Sequence, residues 1–244
     1  MRGGPHQVTK DFEQALCDYT GATYAVAVNS CSMALLLAVA WHLRQPTYYV
    51  AEADGPAERP RIEIPRRTYC SVPMAIMHAG GKPVFRDEEW YGAYKLSPLP
   101  VWDFARLFTS GMYAGYGSDG LHAKHREHFG EMLCVSFHAS KTLGLEQGGA
   151  ILHDDPKADM WLRRARFDGR QEGVAPLDQK EWQVGWHCYM SPSVAAQGIL
   201  KLYSLPKHNQ PLPNDPYPRL DLLEIFKCAT ATSATASRNP RRAG

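Results

Sequence analysis

A chain of 244 residues, 44% hydrophobic and 21% charged, is long enough to bury a substantial core and has an ordinary globular composition, which predicts one large domain or one domain with a tail. A net charge of +2 at pH 7 shows no strong basic bias and argues neither for nor against nucleic acid; no nucleic-acid partner is expected. No apolar run is long enough to span a bilayer and the opening MRGGPHQVTKDFEQ lacks the apolar centre of a signal peptide, so a cytoplasmic protein without a membrane partner is expected.

From Val8 to Tyr19 the apolar residues Phe12, Ala15, Leu16 and Tyr19 recur at helical spacing, and Gly21 is a stop. TYAVAV (23–28) reads as a short buried strand, and Asn29-Ser30 turns into the apolar helix SMALLLAVAWHL (32–43). Strand, short polar turn and helix make half of a βαβ unit. A polar stretch, 51–60, is predicted as a surface loop. RIEIP (61–65) is the next strand, followed by a helix over 70–80 with Pro73 in its first turn and Gly80-Gly81 at its end. KPVFR (82–86) is a strand, and PVWDFARLF (100–108) begins as one and ends in an acidic turn. MLCVSF (132–137) and GGAILHDD (148–155) are two more strands, and DPKADMWLRRAR (155–166) is a helix with Pro in its first turn. Alternation of this kind predicts a three-layer α/β/α domain with a mostly parallel sheet. Ligands bind such sheets beyond the carboxyl ends of the strands. The polar turns at Asn29-Ser30, Thr68-Tyr69, Asp103 and 136–141 all follow predicted strands and could converge on one edge. Residues 211–220 are proline-rich, and 229–244 (ATATSATASRNPRRAG) read as a disordered tail. No internal repeat is visible.

Six cysteines, at 17, 31, 70, 134, 188 and 228, form no Cys-x-x-Cys pair, which disfavours zinc ribbons and thioredoxin-like motifs and fits scattered reduced core thiols. His122, His125 and His128 are spaced by three, but three histidines supply neither a carboxylate nor a preformed strand scaffold and Lys124 and Arg126 interleave them, so a solvated loop is favoured over a metal site.

Within SFHASKTLGLEQGGAILHDD (136–155), Lys141 stands between the end of one apolar run and the pair Gly148-Gly149. Most such lysines are surface residues. A lysine just past a buried strand can also form a Schiff base with a carbonyl or with pyridoxal phosphate. Ser30, Cys31 and Ser32 lie where a strand gives way to a helix, a place that favours a phosphate, although a Ser N-cap is the plain alternative. Asp103, at a strand end, could keep a pyridine nitrogen protonated, or simply cap a turn. Tyr69 offers a face for ring stacking, or packs in the core.

Taken together, these segments resemble the DegT/DnrJ/EryC1/StrS sugar aminotransferases, pyridoxal-phosphate enzymes of the aspartate-aminotransferase fold. The resemblance rests on FEQALCDYTGATYAVAVNSCSMALLLAV (12–39), IPRRTYCSVPMAIMHAGGKPVF (64–85), VWDFA (101–105), SFHASK with QGGAIL, and VGWHCYMSPSVAAQGILKL (184–202). It covers about residues 3–203. It implies a pyridoxal 5'-phosphate cofactor joined to Lys141 as a Schiff base, with Lys141 then moving the proton. It implies phosphate contacts from Ser30, Cys31, Ser32 and Ser136, stacking by Tyr69, and Asp103 on the ring nitrogen. His138 would orient substrate or the phenolate side of the cofactor. The implied reaction transfers an amino group from a small-molecule donor, glutamate or glutamine, to a keto-sugar that is nucleotide-linked. A homodimer with shared sites follows, in which segment 184–190 reaches across.

The sequence departs from the family's pattern in four places. Only Asp87 to Pro100 separates KPVF from VWD, where the family has a helix–strand–helix excursion, so a smaller sheet or a long loop is expected. Arg106 stands where Gln or His is usual, bringing a permanent charge near the cofactor. His187 and Tyr189 replace the Asn and Arg of a Gly-x-Asn-x-Arg-Met segment; the Asn reaches the partner's phosphate, a bond His187 could still donate. The usual N-terminal helices are missing and the small C-terminal domain is reduced or absent. The expected division is therefore a pyridoxal-phosphate domain over 1–205, a proline-rich extension over 206–228 and the tail over 229–244. Two alternatives stand beside transamination: a catalytically degenerate scaffold that binds a partner, and a pyridoxal enzyme of another reaction type, a dehydratase or decarboxylase. Retention of Lys141 disfavours the dehydratase branch, where that lysine is replaced.

Overall fold

The computed structural model describes residue 4 and residues 6–44, 59–113 and 131–227. The His122, His125 and His128 cluster, Cys228, the 229–244 tail and all but the end of the 51–60 loop lie outside the described residues.

The chain opens with a helix, Gln7–Thr20 (α1), stopped at Gly21, whose left-handed backbone (φ 79°) returns its N–H to the Cys17 carbonyl. Strand Tyr24–Val28 (β1) leads through the Ser30 cap into Cys31–Leu43 (α2). Arg61–Pro65 (β2), Ser71–His78 (α3) and Lys82–Arg86 (β3) follow, then the short strands Tyr94–Lys95 (β4) and Val101–Asp103 (β5). Met132–Ser136 (β6), Gly149–His153 (β7), Pro156–Ala165 (α4), Pro192–Ser204 (α5) and the short Glu224–Lys227 (α6) complete the order.

The three α/β/α layers expected from the sequence are present. Period-2 alternation sends Val26 and Val28 of β1 to one core, and Ala25 and Ala27 to the other. The first core packs under α2, α3 and α4, the second under α1 and α5. The main sheet runs β1-β7-β6-β5-β4, and β2 pairs with β3 beside it. Strand direction is mixed rather than mostly parallel. β5–β6 and β2–β3 are parallel, whereas β1–β7, β6–β7 and β4–β5 are antiparallel. β7 returns from β6 through the 137–148 loop without a crossover helix, so it reverses.

The short Asp87–Pro100 connection is neither a gap nor a structureless loop. After β4, Leu96 donates its N–H to the Val101 carbonyl at 2.8 Å, and Ser97 exchanges two backbone bonds with Glu63 of β2, at 2.7 and 3.1 Å. This one segment ties the β2–β3 pair to the main sheet.

Under the sheet, Glu13 of α1 is buried against Arg166 and Arg163, which follow and belong to α4. Arg166 also donates to the Ala27 carbonyl at 2.6 Å, and Ala27 donates to Glu13 at 2.9 Å. Burial alone would raise the Glu13 carboxyl; the two guanidinium groups and the Ala27 N–H hold it below its ordinary value instead. The five described cysteines are free thiols; Cys134 and Cys188 are buried as core residues, but Cys70 is exposed at the entry to α3. No helix among the described residues is long and apolar enough to cross a membrane.

Candidate active site

The carboxyl ends of β1, β2, β5 and β6 open on a cavity of about 390 Å³, large enough for a cofactor-sized ligand. Lys141 enters it from the loop after β6, where its N–H closes a turn on the His138 carbonyl at 2.8 Å. Phe137 anchors both ends of that loop, donating to Gly148 at 2.9 Å and accepting from Leu145 at 2.7 Å. Two forces set the charge of Lys141. Burial and the nearby Arg106 guanidinium disfavour its ammonium form, Asp215 and Asp103 favour it, and the balance lowers its pKa. A lowered pKa enlarges the neutral fraction, which is the form that attacks a carbonyl.

One wall of the cavity is the start of α2. Ser30 caps the helix, accepting from the Met33 N–H at 3.3 Å, and Cys31 and Ser32 follow at its first turn. Ser32 shares a 2.6 Å hydrogen bond with Ser71 of α3. The first N–H groups of a helix have no partner within it and carry the positive end of its dipole. Ser136, buried at the end of β6, lines the same cavity. The glycine pair makes this meeting of α2 and β7 possible. A Cβ on Gly149 would stand 2.6 Å from the Cys31 nitrogen, 2.7 Å from the Ser30 carbonyl carbon and 2.8 Å from the Val135 oxygen, all backbone atoms.

Opposite lies Asp103, 5% exposed. Its carboxylate accepts from the Ala105 N–H at 2.9 Å and from the Tyr94 hydroxyl at 2.8 Å; Tyr94 is in turn 2.6 Å from the Thr68 hydroxyl. Burial pushes the Asp103 carboxyl above its ordinary value, more than those bonds and the Lys141 and Arg106 charges pull it down. A buried carboxylate of this kind gains from a cationic partner. Tyr69 is 58% exposed at the cavity wall, so it is not a core residue. His138 also faces the cavity, its ring Nδ1 3.0 Å from the Ser140 hydroxyl.

Arg106 closes the remaining side. It is 5% exposed, with Nη2 2.9 Å from Asp215 Oδ1 of the proline-rich C-terminal segment. That distance is an ion pair, and among the described residues Nε has no hydrogen-bond partner. Asp215 is held below the ordinary carboxyl value by this pairing. Tyr217 lines the cavity as well, beside Trp90, with which it stacks at 6.2 Å.

Nine of the ten residues singled out in the sequence thus line one cavity: Ser30, Cys31, Ser32, Tyr69, Asp103, Arg106, Ser136, His138 and Lys141. His187 does not. It is 69% exposed on its side chain and bonds Asp168 at 2.9 Å. Sequence reasoning missed Tyr94, Trp90, Asp215 and Tyr217. Tyr94 and Trp90 lie in the Asp87–Pro100 stretch and the other two in the proline-rich stretch, neither of which carries a periodicity that assigns a position.

A pyridoxal phosphate fits this donor set. Helix-end N–H groups and serines that suit a phosphate, a buried acid that makes no ion pair among the described residues, and a lysine with a lowered pKa all line it.

Comparisons with known proteins agree with that chemistry. The chain is 25% identical over 194 residues to the spore coat polysaccharide biosynthesis protein SpsC of Bacillus subtilis, covering 68% of this chain and 46% of SpsC. Its fold superposes on Helicobacter pylori PseC, an aminotransferase involved in the biosynthesis of pseudoaminic acid, with a TM-score of 0.57 and 18% identity over 84% of this chain and 59% of that one. It also superposes on the GDP-4-keto-6-deoxymannose-3-dehydratase ColD, with a TM-score of 0.59 and 18% identity over 82% and 61%. The chain therefore spans about half the length of SpsC and about 60% of these solved chains. The sequence profile of one family matches residues 2–91 and 114–211, most of the chain, and these matched segments include every cavity residue singled out in the sequence except Asp103 and Arg106. The chain belongs to the DegT/DnrJ/EryC1/StrS aminotransferase family.

Proposed function

We propose that this chain carries the catalytic centre of a pyridoxal-phosphate-dependent aminotransferase that places an amino group on a keto-sugar. The observation that carries the reading is the convergence of Lys141, Asp103 and the α2 N-terminus on one cavity. A scaffold with no chemistry needs none of these three together. The sugar as acceptor is supported by the family and by relatives named for polysaccharide and pseudoaminic acid biosynthesis.

When bound, the cofactor would supply the electron sink for cleaving a bond at the amine-bearing carbon. The chain's own residues would do the rest. Ser30, Cys31, Ser32 and Ser136 would bind the phosphate, and helix-end N–H groups would neutralise its charge. Asp103 would keep a proton on the ring nitrogen, with Tyr94 and Ala105 fixing the carboxylate's orientation. Tyr69 would cover a ring face. The Lys141 amine would hold the cofactor's carbonyl carbon and, once released, carry a proton as general base and acid. Retention of the lysine favours transamination over the dehydratase branch to which ColD belongs by name.

The reading includes a homodimer. It is supported by the placement of His187 off its own chain's cavity and by the exposure of Trp182 and Val184 beside it.

The test is borohydride reduction of the protein incubated with pyridoxal phosphate, followed by peptide mass mapping and sedimentation of the same sample. Cofactor fixed to the Lys141 peptide, lost in Lys141→Ala, in a dimer-sized species is the expected result. A folded protein that fixes none, or fixes it elsewhere, overturns the catalytic reading; a monomer overturns the shared site.

A further inference from the structure

We propose that Trp90, Asp215 and Tyr217 form the wall that selects the acceptor, and that the ligand this wall fits is an uncharged, hydroxylated ring of hexopyranose type. The inference rests on the reading above for the identity of the site and adds the residues that recognise the sugar.

The wall is a fixed part of the cavity, although it comes from two stretches without periodicity. Prolines at 211, 213, 216 and 218 set φ along the returning segment and lower the entropy it loses on ordering. The segment is then tied to the domain along its length. Tyr91 donates its hydroxyl to the Pro211 carbonyl at 3.1 Å, Leu212 its N–H to the Arg106 carbonyl at 2.8 Å, and Asn214 its amide to the Trp90 carbonyl at 2.7 Å. Arg67 donates to the Tyr217 carbonyl at 3.2 Å, and the Leu220 N–H to the Arg66 carbonyl at 2.9 Å. The 2.9 Å ion pair with Arg106 fixes the Asp215 side chain between these ties.

Two kinds of surface meet on this wall. The rings of Trp90 and Tyr217 both line the cavity and lie within 16° of parallel. Their polar atoms are engaged elsewhere: Trp90 Nε1 donates to the Arg67 carbonyl at 2.8 Å, and the Tyr217 hydroxyl donates to Asp215 Oδ2 at 3.4 Å. What the pair offers a ligand is therefore carbon surface. Beside it stands Asp215, whose side chain is 64% exposed and whose charge Arg106 balances. An ionised carboxylate has about four lone-pair sites, more than its bonds to Arg106 and Tyr217 use, so it can still accept from hydroxyls. A pyranose matches both surfaces, with C–H groups on its faces and hydroxyls at its rim. An anion gains little here, because Arg106 is already paired and Asp215 repels it. A flat ring without hydroxyls would cover the aromatic pair but desolvate Asp215 without giving it a donor.

Saturation-transfer NMR titration of the full chain with methyl α-D-glucopyranoside, methyl α-D-glucopyranosiduronate and uridine tests this, with and without pyridoxal phosphate. A methyl glycoside has no free carbonyl to react with Lys141, so the readout is independent of cofactor chemistry. Saturation of the glucoside on the C–H protons of one ring face is expected. Tyr217→Ala should weaken it by about ten-fold, and Tyr217→Phe should restore it to within about two-fold. Asp215→Asn should weaken it by about five-fold, the scale separating a hydrogen bond to a charged acceptor from one to a neutral acceptor. No saturation of the glucoside by the wild type, or equal binding in Tyr217→Ala, overturns the proposal. Unchanged binding in Asp215→Asn removes the carboxylate from it. Tighter binding of the glucuronide overturns the uncharged ligand, and saturation of uridine at its base protons in preference to the glucoside overturns the sugar. Asp215 is largely solvated, so its substitution decides the matter even where Tyr217→Ala does not fold. If Lys141 captures no pyridoxal phosphate while glucoside binding still depends on Tyr217, the functional reading falls and the sugar wall stands. Capture at Lys141 with a glucoside indifferent to Tyr217 is the reverse result.

Discussion

Lys141 is tuned by opposed neighbours, and each can be removed separately. Burial and Arg106 push its pKa down; Asp215 and Asp103 push it up. The neutral amine is the nucleophile, so capture of an aldehyde rises as pH increases through this pKa. The midpoint should lie below the ordinary lysine value of about 10.4. Arg106→Gln removes a repelling cation and should move the midpoint upward. Asp103→Asn removes an attracting anion and should move it downward. The yield of borohydride-fixed pyridoxal phosphate against pH reads both shifts. Two variants that move in the same direction would show that burial, not the charge pattern, sets this lysine's reactivity. The same residues explain why the lysine was legible in sequence while its environment was not. Asp103, Arg106 and Lys141 fall at predicted strand ends, where a short segment is enough to place them. Asp215 reaches them through a long-range return that no local pattern encodes.

At the level of elements, the site exists because β7 and α2 meet backbone to backbone. Gly149 permits that approach, since the three atoms nearest a Cβ there belong to the main chain and cannot rotate away. Gly149→Ala should therefore destabilise the fold by about 3 kcal/mol or more, the range in which backbone clashes and core strain fall. It should also weaken phosphate-dependent cofactor binding, because the displaced partner is the first turn of α2. Chemical denaturation together with a pyridoxal phosphate titration measures both. A variant with wild-type stability would mean that β7 shifts to accept the methyl group. The strand and helix positions themselves were readable from periodicity, down to Pro73 in the first turn of α3. The direction of β7 was not, because a buried strand has the same sequence pattern whether it runs parallel or antiparallel. β4 escaped notice because two residues carry no period, yet its Tyr94 orients Asp103 and its following residues join the two sheets.

For the whole molecule, the resistance of the fold to acid depends on groups far from the cavity. His42 in α2 and His153 at the end of β7 are buried, and burial lowers each pKa to about 4, against the weaker opposing pull of Asp155 on His42 and of Asp159 on His153. In the unfolded chain each titrates near 6.5. Between pH 6.5 and 4 the unfolded state therefore binds protons that the folded state refuses, and stability falls as pH falls through this window. At about 1.4 kcal/mol per pH unit, each histidine costs the fold about 3 kcal/mol by pH 4. Glu13 adds to the loss lower down: its folded pKa is depressed, so its contribution is complete above its unfolded value of about 4.3 and disappears as pH drops through the folded one. Asp103 opposes the trend, since its raised pKa lets the folded state keep a proton that the unfolded chain has already released. Two histidines together remove a large share of a typical stability of about 5–15 kcal/mol, enough to dominate acid unfolding. Urea unfolding at pH 7 and pH 5 should show a marked fall in stability for the wild type and about half that fall for His153→Leu. The slope with pH is the quantity compared, so any packing cost of the leucine cancels. Equal slopes in the two proteins would assign the acid sensitivity to carboxylates instead of His153.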